Sequence, residues 1–165
     1  MIAAVDVYYR EDSGAVAAAV VFSSFTDNEP YAVYISEIQN AENYISGQFY
    51  KRELPCIITV FKKIKEKIDI LIIDGYIDPG NKPGLGRHLW RTLGEKVIVI
   101  GVAKTFFKGT EAVKVFRGRS RRPLYITSAG IDTFEAASLI EKMPGNFRIP
   151  DMLKLVDQIS RTGIW

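Results

Sequence analysis

The chain has 165 residues, 47% hydrophobic and 25% charged, which suits one globular domain spanning 1–165 and excludes a largely disordered chain. A formal net charge of +3 is too small to argue for a nucleic-acid partner; where the charge sits decides that. The single cysteine, Cys56, excludes an internal disulfide, and the single histidine, His88, excludes an all-histidine metal site and an H-E-x-x-H zinc motif.

The first residues carry no basic segment and meet an acid at Asp6, so they do not read as a secretory signal. No uncharged stretch is long enough to span a bilayer, and the expectation is a cytoplasmic protein with no membrane partner. Residues 2–9, 14–24 and 30–38 are apolar and rich in strand formers. Short turn-like segments around residues 11–14 and 26–29 favour antiparallel hairpins, because a parallel crossover needs more chain.

The period then changes. Leu54, Ile57, Ile58, Phe61, Ile64 and Ile68 recur at steps of three and four, which predicts an amphipathic helix over 51–67. Cys56 falls inside it, as a buried and inert thiol. The run 68–73 predicts a strand covered on both faces, and a Gly/Pro-rich loop follows over 75–83. A helix over 85–93, a buried strand over 97–102, a strand over 124–127 and helices over 134–142 and 152–160 complete the pattern. Three antiparallel strands followed by helix–strand units imply an α/β fold: a mixed sheet, its later strands parallel, with helices on its faces.

Three acids are candidates for a site. Asp6 interrupts a strand, where an aspartate is disfavoured and its burial costly. Taken alone, an outward-facing side chain accounts for it. Asp74 closes a buried strand, at the end where parallel sheets place ligands; Asp74-Gly75 is also good turn chemistry. Glu53 falls in the first turn of the predicted helix, where the dipole alone favours a carboxylate. Were the first and fourth strands neighbours, the three acids could converge on hard-cation chemistry, Mg²⁺ or Mn²⁺.

At these residues the sequence resembles endonuclease V. The match is carried by Ala4-Val5-Asp6-Val7, by Tyr44-Ile45-Ser46-Gly47 through Arg52-Glu53-Leu54-Pro55, and by Ile73-Asp74-Gly75. Ile100-Gly101-Val102-Ala103-Lys104 and Pro123-Leu124-Tyr125-Ile126 continue it in the same order. The resemblance implies a ribonuclease H-like fold and a Mg²⁺-dependent endonuclease, with Mn²⁺ able to substitute. The implied substrate is DNA or RNA containing inosine or deoxyinosine, cut on the 3′ side of the lesion by a monomer. It further implies metal carboxylates at Asp6, Glu53 and Asp74, and a phosphate-directed Lys104. Tyr44 and Ile45 would belong to a wedge that fills the gap left by an extruded base, with Gly47 and Gly75 giving backbone freedom.

The sequence also departs from that pattern. A family histidine after the Pro123–Ile126 segment falls on Gly130, and Asp132 is the candidate replacement as an oxygen ligand. A second histidine is absent at Asp78-Pro79, and an acidic family position falls near Glu135. His88 matches a helix position of packing character. The wedge carries Asn43 and Ser46 where the family has prolines, which leaves it less pre-organised. The densest positive charge, residues 114–122, offers Arg119, Arg121 and Arg122 as phosphate contacts; a solvated basic loop is the plainer alternative. A nucleic-acid binding homologue with reduced catalysis and a ribonuclease H-like nuclease of other specificity stand as alternatives.

Overall fold

The computed structural model describes residues 1–41 and 48–165. Three strands open the chain as a meander: β1 (Ile2–Tyr9), β2 (Ala15–Phe22) and β3 (Ala32–Ile38), each antiparallel to the one before. Helix α1 (Phe49–Phe61) crosses to β4 (Ile70–Asp74), and α2 (Leu85–Thr92) crosses to β5 (Ile98–Ala103). Then come β6 (Val113–Val115), β7 (Leu124–Ala129), α3 (Thr133–Glu141) and α4 (Asp151–Thr162). The seven strands form one sheet in the order β3-β2-β1-β4-β5-β7-β6.

β4 and β5 run parallel to β1, as expected of strands joined by helical crossovers. β7 runs antiparallel to β5, and β6 antiparallel to β7, where the sequence pattern implied continued parallel strands. This reversal decides which end of the sheet each later loop occupies.

Two apolar layers cover the sheet. Ala3, Val5, Ala17, Leu71, Ile73 and Val99 face α1 and α2, with Ile57, Val60 and Leu89 packed on them. Ala4, Ala18, Val20, Ile72, Ile100 and Val102 face the other way, toward Ala136, Ile140, Val156 and Ile159 of α3 and α4. Every residue of β2 is buried, and its small Ala17-Ala18-Ala19 centre lets helices approach from both sides.

The first helix begins and ends earlier than its periodicity predicts. Residues 62–67 leave it through short-range bonds, Lys63 N–H to Val60 O and Ile64 N–H to Phe61 O at 3.0 and 3.1 Å. Tertiary contacts then hold the segment: the Tyr34 hydroxyl donates to Glu66 and the Lys63 ammonium to the Ile35 carbonyl. Ile68 keeps the helical spacing but packs as part of the core layer beside β4. Cys56 is buried as expected, and burial pushes its thiol up to about 11, which keeps it protonated and inert. His88 stacks on Tyr50 with ring centroids 3.9 Å apart, a packing role. Among the described residues, no helix is long and apolar enough to cross a membrane.

Candidate active site

Parallel pairing sets Ile2 against Ile70 and Ala4 against Ile72. Continuing that register two residues further brings Asp6 beside Asp74, at the end where β1 and β4 stop sharing a ladder. Both acids follow residues of the α4-facing layer, Ala4 and Ile72, and so project to that side. Asp6 pairs across to Ala18 of β2, whose small side chain leaves the carboxylate room.

A cleft opens there. Its polar lining is Asp6, Asp74, Lys104 and Asp157; Ile72, Val102 and Val156 are among its apolar neighbours. Lys104 follows the end of β5 and places its ammonium 3.3 Å from Asp74 Oδ2. Ser160 of α4, itself fully buried, donates its hydroxyl to Asp6 Oδ2 at 2.7 Å. Burial raises the Asp6 carboxyl to about 6, against the Ser160 bond, with the charges of Asp74 and Asp157 adding to the rise.

Glu53 reaches the same neighbourhood from the other face of the sheet. It does not line the cleft; it is 5% exposed and its Oε2 has no hydrogen-bond partner. Because α1 begins at Phe49, Glu53 sits in the second helical turn rather than the first, so the dipole does not account for it. Burial pushes its carboxyl up to about 8, and the charges of Asp6 and Asp74 push in the same direction. The charges of the three acids thus act on one another. Among the described residues, however, no group of three His, Cys, Asp or Glu side chains is drawn into a cluster that could hold a metal ion. Asp6 is held by Ser160 and Asp74 by Lys104 instead.

An orphaned, buried carboxylate oxygen beside two further carboxylates fits a divalent cation. The donor set is all hard oxygen, and an added positive charge would offset both the burial that raises Asp6 and Glu53 and the repulsion that adds to it.

The loop after β4 is shaped by glycines. Gly75 adopts φ +134°, and open space lies where its side chain would be. Its carbonyl rests against β5 so closely that a Cβ on Gly101 would stand 2.4 Å from it and 2.7 Å from Thr127 Oγ1. The Thr127 hydroxyl accepts from Ile77 N–H, fixing the loop from below. Beyond it, Asp78 and Arg87 form a two-bond ion pair at 2.8 and 3.1 Å where the family pattern has a histidine.

Asp132 is not a ligand candidate in this structure. Val99 pairs with Ala129 and Ala103 with Tyr125, so the C-terminal end of β7 lies at the opposite end of the sheet from Asp74. Gly130 and Asp132 follow that far end. Asp132 caps α3, accepting from the backbone N–H of Glu135 at 3.1 Å, which is a structural use for Asp132. Gly130 abuts Trp90 and Ile98, so a missing histidine there removes nothing from the cleft. The same reversal puts the basic run between β6 and β7 at the Lys104 end. There Arg119, Arg121 and Arg122 are exposed. Tyr44, Ile45 and Gly47, together with Asn43 and Ser46, lie outside the described residues.

Asp157 and Ser160 escaped the sequence reading. Within α4 they look like the polar positions of any amphipathic helix; only the three-residue spacing of an acid and a hydroxyl on one face marks them. Asp157 is also paired with Arg161 at 3.1 Å, an ordinary surface bridge in appearance.

The sequence model of endonuclease V matches residues 1–125. The chain belongs to the endonuclease V family. It is 26% identical to an endonuclease V of the cyanobacterium Trichormus variabilis over 181 aligned positions, covering 96% of this chain and 81% of that protein. The crystal structure of endonuclease V from Bacillus subtilis superposes with a TM-score of 0.82 at 23% identity, covering 98% of this chain and 79% of the other. Endonuclease V of Ciona intestinalis, solved with a 24mer DNA containing an inosine followed by a ribo-adenosine, gives a TM-score of 0.82 at 17% identity. It covers 98% of this chain and 84% of its own. These structural likenesses establish a shared ribonuclease H-like fold, and family membership makes the chain a nuclease. The family match begins before Asp6 and ends at Tyr125, so α4, with Asp157 and Ser160, lies beyond it.

Proposed function

We propose that this chain is a divalent-metal-dependent endonuclease that cuts DNA or RNA on the 3′ side of a deaminated purine. The observation that carries the reading is the unpartnered, buried Glu53 Oε2 beside Asp6 and Asp74. The substrate rests on family membership, supported by the inosine-containing DNA bound to the Ciona relative.

Asp6, Glu53 and Asp74 would hold Mg²⁺, with Mn²⁺ as a substitute. When bound, the cation supplies the Lewis acidity that activates water and steadies the departing oxygen. The chain's own residues do the rest. Lys104, already paired with Asp74, offers its ammonium to phosphate charge. Ser160 fixes the rotamer of Asp6 and favours its ionised form. Open space at Gly75 lets a base approach the backbone, and the tight seat of its carbonyl on Gly101 keeps that loop from moving.

Cleavage of labelled strands carrying one inosine or deoxyinosine, with Mg²⁺ or Mn²⁺, tests this beside undamaged strands and Asp74→Ala. Metal-dependent cutting 3′ of the lesion, lost in Asp74→Ala, is expected. Tight binding without cutting would make the chain a recognition protein, and equal cutting of all strands would give it another specificity.

A further inference from the structure

The basic run holds one arginine that is almost wholly buried. Arg117 is 5% exposed, and its guanidinium donates to the carbonyls of Glu141, Met143, Pro144 and Gly145 at 2.9 to 3.5 Å. It ties the segment after β6 to the loop between α3 and α4. Next to it, Gly118 adopts φ +60° and comes so near that loop that a Cβ would stand 2.4 Å from the Asn146 carbonyl oxygen. Two loops are therefore held in fixed register, and the space between them is a pocket lined by Arg119, Ser120, Asn146, Phe147 and Arg148.

This pocket adjoins the carboxylate cleft. Arg148 lines the pocket and the next residue, Ile149, lines the cleft. The Arg148 guanidinium also donates to the carbonyls of Lys104 and Pro123, binding the pocket to the active-site end of β5. No acidic side chain lines it. Phe147 is 64% exposed, with the Lys154 ammonium 4.6 Å from its ring centroid. Arg119 is exposed and makes no ion pair among the described residues. An exposed ring amid unpaired cations suits a partner that is planar and anionic at once. A nucleotide is both, and an acidic peptide supplies only the charge.

We propose that this pocket takes one unstacked nucleotide of a substrate strand, its base against the open face of Phe147 and its phosphate on Arg119. The inference rests on the nuclease reading and adds a single-strand subsite beside the cleft. Stacking on an exposed ring requires a base free of its duplex partner stack, so the subsite favours strands already opened near the cut.

The test is binding without turnover. A fluorescent oligothymidylate of about ten nucleotides is titrated in EDTA, over a salt series, with the full chain and its variants. Phe147→Ala is expected to weaken binding by about 30-fold, the middle of the range for loss of one base–aromatic stack, and Phe147→Trp to retain it. Arg119→Ala is expected to reduce the salt slope by about 0.7, one phosphate contact on a single strand. A blunt duplex should show no Phe147 effect. Equal losses on duplex and single strand, unchanged affinity in both variants, or no binding by the parent chain would each overturn the proposal. Because no metal is present, a chain that binds through Phe147 but never cuts refutes only the nuclease reading. One that cuts beside inosine yet ignores Phe147 refutes only the subsite.

Discussion

The Ser160 hydroxyl lies 2.7 Å from Asp6 Oδ2 and 2.8 Å from the backbone carbonyl of Asp157, two acceptors for one proton. Bonding to Asp6 favours its ionised form. Ser160→Ala should therefore raise the Asp6 carboxyl further above about 6 and move the acid limb of the pH–rate profile to higher pH. The lost bond to a half-buried carboxylate should also cost about 1–3 kcal/mol in urea denaturation. An unmoved acid limb would separate Ser160 from the chemistry.

Stability should fall as pH rises when metal is withheld. Unfolded, Asp6 and Glu53 release their protons near 3.8 and 4.5; folded, they hold them to about 6 and about 8. Across that window the folded state binds more protons, so each step up in pH favours unfolding. Mg²⁺ binds the ionised carboxylates and should raise the melting temperature most at the alkaline end. Glu53→Gln should flatten the decline between pH 6 and 8 and abolish the Mg²⁺ effect. A melting temperature that climbs over this range without metal would contradict the buried-carboxylate picture.

Lys104→Ala removes a cation that is 43% exposed, so it should change stability by less than about 0.5 kcal/mol. Its effect belongs to turnover: a loss of about 100-fold or more, with Lys104→Arg recovering part of it. Equal rates in the alanine variant and the parent would leave Lys104 as a solvated partner of Asp74.

Gly101→Ala puts a methyl group 2.4 Å from the Gly75 carbonyl oxygen. The loop after β4 must shift, at a cost of about 1–3 kcal/mol. Thermal unfolding should show the loss, and lesion selectivity should fall with it, since the displaced segment follows Asp74 directly. A variant as stable and selective as the parent would mean the loop is not tightly seated.

Most strands were legible because β2, β4 and β5 are continuous apolar runs, a pattern that burial on both faces imposes. β6 was not: Val113-Lys114-Val115 is too short to show a period, and only its pairing with β7 makes it a strand. The overlong first helix came from Ile64 and Ile68, which keep helical spacing while serving a turn and a core layer. Asp6 and Asp74 stood out because each is an acid in an apolar run; Glu53, beside Lys51 and Arg52, was marked only by the family resemblance. Asp157 and Ser160 sit in a helix where polar residues are ordinary, so little beyond their three-residue spacing distinguishes them. Asp132 was misjudged because a linear match carries no strand direction, and β7 runs back against β5.

The bond between Asp6 and Ser160 spans 154 residues. β1 leaves the ribosome well before α4. The hairpins of β1, β2 and β3 can pair early, because their contacts are local and their loops short. The cleft cannot, since one wall arrives with α4, far along the chain. A partly folded chain therefore carries the sheet's opening strands without a finished cutting site, and folding order itself delays the nuclease until α4 has docked.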